Sequence, residues 1–64
     1  MDIDQETQRV KSFVEKGNYH AALNIALSAM NECRRIESQA GIDHFITMIK
    51  DISNELDEQF GSHS

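Results

Sequence analysis

The chain has 64 residues, room for one small domain, and 6 basic against 11 acidic residues give it a net charge of −5, which argues against a phosphate-backbone partner. A domain of this size buries only about 60% of its unfolded surface, so its stability is marginal without a staple or a partner. Cys33 is the one cysteine, which excludes an intrachain disulfide, and no Cys or His pair stands at zinc-ligand spacing.

The first predicted element is a helix over residues 2–16. Ile3, Val10, Phe13 and Val14 follow helical spacing, with Thr7 filling the gap. Asp2, Asp4 and Glu6 stand at its start and Lys11 and Lys16 towards its end, as the helix dipole favours. Gly17 and Asn18 form the boundary: glycine takes the left-handed conformation that closes a helix, and Asn caps the next one.

The second predicted helix covers residues 19–39 and carries two apolar stripes. Tyr19, Leu23, Ala26, Met30 and Cys33 form a seam, and Ala22, Ile25, Ala29 and Ile36 a second line offset around the helix. A helix apolar on two sides is sandwiched between neighbours, so this one is expected in the centre. Gly41 is expected to end it, with Ile42 folding back onto Ile36.

The third predicted helix covers residues 42–60, with Asp43 as its cap and His44 solvated. Ile42, Phe45, Ile49, Ile52, Leu56 and Phe60 lie in one row, and Ile46 and Met48 widen it. The tail, residues 61–64, has no periodicity and is expected to fray. Short glycine-containing connections make neighbouring helices antiparallel. The expected fold is therefore all-α, one domain over residues 1–60, either a three-helix up-down-up bundle or a helical hairpin with a third helix added.

Chemical groupings are sparse. Asp43 and His44 are neighbours that point about 100° apart on a helix, Cys33 lies on an apolar seam, and Asp51 with Glu55 is one carboxylate pair without further ligands. No catalytic residue, metal site or cofactor is assigned, and enzymatic activity is not expected. Charge is more informative: residues 42–64 hold five acids and one base, nearly all of the net charge. Glu55, Asp57 and Glu58 fall in the last turns of the third helix, against the dipole preference, which suits a basic partner surface.

The run FVEKGNYHAALNIALSAM, residues 13–30, resembles the helix-turn-helix of tetratricopeptide repeats through Gly17, Asn18, Tyr19, Ala22 and Leu23, with Ala26 and Ala29 at small-residue positions. With a third helix it also looks like the microtubule-interacting-and-transport domain. Residues 29–45 are faintly similar to the small co-chaperones of type III secretion needle subunits, mainly at Glu32, Cys33, Arg34 and Arg35. Ser53-Asn54-Glu55-Leu56-Asp57 echoes the S-Q-E-L-D motif of small sporulation phosphatases, with Asn54 in place of Gln. These resemblances share recognition of another protein by helical surfaces.

The function expected is a small protein–protein interaction module: an adaptor, co-chaperone or regulator. The alternative is a regulator or phosphatase of a response regulator acting through residues 53–57. A DNA-binding reading is poor, since Lys50 is the only base of the third helix. No apolar run is long enough for a membrane helix, and the acidic start MDIDQETQ is unlike a signal or transit peptide, so a reducing cytoplasm is the expected setting. The row Ile42, Phe45, Ile46, Ile49, Ile52, Leu56 and Phe60 is the expected interface. It would make the protein a homo-oligomer or bind it to a second helical chain.

Overall fold

An aspartate caps the first helix. In the computed structural model, which describes residues 2–60, Asp2 is extended and its side chain accepts from the Gln5 backbone N–H at 3.2 Å. This caps α1 (Ile3–Glu15) and satisfies one of the donors that a helix start leaves unpaired. The other elements are α2 (Tyr19–Arg35) and α3 (Gln39–Phe60), and no strand occurs among the described residues. The tail 61–64 and the side chain of Phe60 lie outside the described residues.

Two turns of the same construction join the helices. After α1, Gly17 takes φ 78°; its N–H donates to Val14 O and that of Asn18 to Phe13 O, both at 2.9 Å. After α2, Glu37 takes φ 58°; its N–H donates to Arg34 O at 3.1 Å and that of Ser38 to Cys33 O at 2.8 Å. Each is the double closure that ends a helix in a left-handed residue. The residue that completes each closure also caps the next helix. Asn18 Oδ1 accepts from Ala21 N, and Ser38 Oγ from Gly41 N, each at 3.3 Å.

The first turn lies where the sequence places it. The second does not: α2 ends at Arg35 rather than at residue 39, and α3 begins at Gln39 rather than at 42. Gly41 is therefore no helix boundary. Glu37 takes the left-handed position without glycine's help, and Ser38 caps α3 in place of Asp43, whose carboxylate accepts from Gln39 Nε2 at 3.0 Å. Gly41 instead permits a close approach. A Cβ built on it would stand 2.5 Å from Cys33 Sγ and 3.2 Å from Ile3 Cδ1. Nor does Ile36 shelter under Ile42, since it is 55% exposed.

Packing centres on α2, which contacts both α1 and α3. Its buried residues are Tyr19, Ala22, Ala26, Ala29 and Cys33. One cluster joins Val10, Tyr19, Ala22, Ala26 and Ile52; a second joins Ala29, Cys33 and Phe45. Half-buried Met48 packs against both and makes the core continuous along α3.

The turns give paired predictions. Gly17→Val forces a branched side chain into the left-handed region and should destabilise the fold by about 1–2 kcal/mol, because open space around the site leaves only the backbone cost. Glu37→Gly relieves the same cost but loosens the unfolded chain by about 0.4–1 kcal/mol, so a net gain of up to about 1.6 kcal/mol is expected. Urea denaturation of the two variants measures both; equal midpoints for Gly17→Val and wild type would refute the turn.

Gly41→Ala should cost about 1–3 kcal/mol by overpacking, less what alanine's helix propensity returns. Cys33→Ala removes the sulfur in the way, so a double-mutant cycle should show coupling of at least about 0.5 kcal/mol. Strict additivity would mean that the two residues do not meet.

Candidate functional site

The α1 and α3 helices flank α2 and leave a groove between them. Its deep residues are Val10 from α1 and Ile52 from α3, with Val14 and Met48 half-buried above them. The residue pairs Val10/Val14 and Met48/Ile52 are each one helical turn apart, so each helix presents a short apolar rail. Exposed Lys11, Glu15, Asp51 and Glu55 border the rails, and the volume is about 360 Å³.

One end is closed by a hydrogen bond between the two helices. The Thr7 hydroxyl lies 2.7 Å from Ile3 O, to which it donates, and 2.8 Å from His44 Nε2. A hydroxyl has one proton, so His44 donates to Thr7 through Nε2–H. His44 also stands edge-on to the ring of Phe45, with centroids 5.0 Å apart. It is exposed, as its place beside Asp43 suggests, and hydrogen-bonded as well. Helical periodicity places Thr7 on the buried face, yet a threonine on an apolar stripe does not say which distant residue it meets.

Near Glu55, Tyr19 ties the start of α2 to the last turns of α3. Its phenol donates to Glu55 Oε1 at 3.4 Å and accepts from Gln59 Nε2 at 2.9 Å. Burial, then the charge of Glu55, then the hydrogen bond to it push the phenol above its usual value of 10.0.

The expected interface row divides. Phe45 and Ile52 are buried in the chain's own core, 0% and 4% exposed; of the two, only Ile52 reaches the groove, at its bottom. At these two positions the row faces the core that α3 shares with α2. Ile42, Ile49 and Leu56 are half-buried against the core clusters, and Ile46 is half-buried as well. Phe60, as a side chain, lies outside the described residues. Among the described residues, the exposed large apolar side chains are Leu27 and Ile36, on or just after α2 rather than on α3.

Of the three acids suggested as a basic-partner contact, Glu55 lines the groove, and Asp57 and Glu58 are exposed away from its lining. Within residues 53–57, Ser53, Asn54, Glu55 and Asp57 are exposed and Leu56 packs against the core. Of the helix-boundary residues, Gly17 and Asn18 form the first turn and Gly41 is buried within α3. Among the described residues, no group of three His, Cys, Asp or Glu side chains is placed to hold a metal ion, and no helix is long and apolar enough to cross a membrane.

No family model, curated protein or solved structure matches the chain.

Tyr19 gives an alkaline prediction. A phenol whose folded value lies above its unfolded one stabilises the fold in full below about pH 10, and that contribution fades as pH rises through the folded value. Tyr19 is the only tyrosine and there is no Trp, so tyrosinate absorbance reports this group alone. Its titration midpoint should lie higher in the native protein than in urea. Tyr19→Phe should melt lower than wild type at neutral pH, with the gap closing above pH 10. Identical midpoints in native and unfolded protein would exclude the Tyr19–Glu55–Gln59 contact.

Proposed function

We propose that this chain is a small helical protein–protein interaction module whose binding site is the groove between α1 and α3. The observation that supports the reading is the groove itself: two apolar rails, Val10/Val14 and Met48/Ile52, bordered by charged side chains within about 360 Å³. Such a pairing of apolar floor and polar rim is the usual make-up of a recognition site. Half-buried Val14 and Met48 stand ready to lose their remaining exposure to a partner.

In this reading the helices run up, down and up. Tyr19, at the start of α2, reaches Glu55 and Gln59 near the end of α3, while Ile3, at the start of α1, and Ile42, near the start of α3, both pack against the cluster of Ala29, Cys33 and Phe45. Such an arrangement sets the α1 and α3 rails side by side in the same direction, as a continuous groove requires. The likeness of residues 13–30 to a tetratricopeptide hairpin fits the same picture, with the third helix in the place where a further repeat would stack.

A selection from a displayed peptide library on the full chain tests the proposal. Selected peptides should lose at least about tenfold in affinity to Val14→Glu and to Met48→Glu, each of which puts a charge on the groove floor. Leu27→Glu, on an exposed position of α2, should leave binding unchanged. Peptides that tolerate both groove substitutions would place the site elsewhere.

A further inference from the structure

The rim of the groove carries more information than its floor. Glu15 from α1 and Asp51 and Glu55 from α3 set three carboxylates against one ammonium, that of Lys11. His44, at the closed end, spends its Nε2–H on Thr7. The groove therefore has a negative border around an apolar floor, on a chain of net charge −5.

The occupant's backbone is constrained as well. The described elements are helices, whose backbone groups are bonded internally, so no strand edge is available among them for an extended peptide to pair with. An extended segment laid on Val14 and Met48 would leave backbone donors and acceptors without partners against apolar side chains. A helix brings its own hydrogen bonds. From His44 to Glu55 the α3 border advances by eleven residue steps, about 16 Å along a helix axis, which matches about three turns of an incoming helix.

We infer that the groove takes one amphipathic helix of another protein, with apolar residues about one turn apart on its inner face and Lys or Arg flanking them. This rests on the proposed binding role of the groove. A second copy of this chain is the poorer occupant, because its α3 repeats the acids Asp51, Glu55, Asp57 and Glu58 and would set like charges together. A basic helix meets Glu15, Asp51 and Glu55 without that conflict. Each exposed pair contributes little alone, and together they decide between partners more than they add affinity.

The test uses two synthetic helical peptides of about 15 residues with the same Leu positions, one flanked by Lys and one by Glu, titrated calorimetrically into the full chain. The Lys peptide should bind at least about tenfold more tightly, and raised salt should narrow the gap. Glu15→Lys with Asp51→Lys should reverse the preference; both residues are exposed, and Tyr19 keeps its Glu55 contact. Circular dichroism confirms that the variant is folded.

Equal binding of the two peptides, preference for the Glu peptide, failure of both to bind, or a preference untouched by the reversal would each overturn the inference. So would sedimentation of the chain as a dimer that Val14→Glu and Met48→Glu dissolve, since the groove would then hold a second copy. Library peptides that need Val14 and Met48 but carry no basic flank would sink the charge inference while leaving the groove as the site. Library peptides indifferent to Val14 and Met48 would remove both.

Discussion

Everything in this molecule hangs on one narrow surface, the small-residue face of α2. Ala22 and Ala26 are wholly buried and Ala29 nearly so, one turn apart along the same side of the helix. Side chains this short let two helices settle onto one, and both α1 and α3 contact α2. Where the row reaches Cys33, the chain needs still less bulk, and Gly41 on α3 removes the Cβ that would strike the sulfur. A larger residue anywhere on this face would push a flanking helix away, because close-packed interiors have no slack to absorb it.

The groove follows from that arrangement. With α2 carrying the packing on both sides, α1 and α3 meet through particular contacts such as the Thr7–His44 hydrogen bond. Tyr19 fixes the α3 border from the α2 side through Glu55 and Gln59. These two polar contacts stand near residues 44 and 55 of α3, and the apolar rails run between them. The groove is thus held by a hydrogen-bonded cross-tie and a buried phenol rather than by a continuous α1–α3 seam. A partner helix that supplied the missing apolar contacts would extend the core without displacing any part of it.

The two turns show how little sequence is needed to repeat a piece of backbone. Gly17-Asn18 and Glu37-Ser38 make the same closure and the same cap, with one residue in common between the end of one helix and the start of the next. Glycine adopts the left-handed conformation without penalty, whereas glutamate accepts a cost of about 1–2 kcal/mol because both closing hydrogen bonds and the Ser38 cap depend on it.

Local patterns in the chain are enough to establish the helical class, the first turn and the central place of α2. Those features are local: a period of 3.6 residues, a glycine next to a capping Asn, and a helix apolar on two sides each betray themselves within one segment. The same local logic misplaces the second turn, since Gly41 resembles a terminator and Glu37 does not. Only the tertiary structure could show that Gly41 serves a contact with Cys33, from another helix. The α3 row reads as one apolar stripe, yet only packing decides that Phe45 and Ile52 face inward and that Met48 borders a groove. The Thr7–His44 and Tyr19–Glu55 contacts join residues 37 and 36 positions apart, and helical periodicity carries no record of such pairs. Periodicity fixes which face of a helix is buried; the neighbours that meet that face are chosen only when all three helices compete for α2.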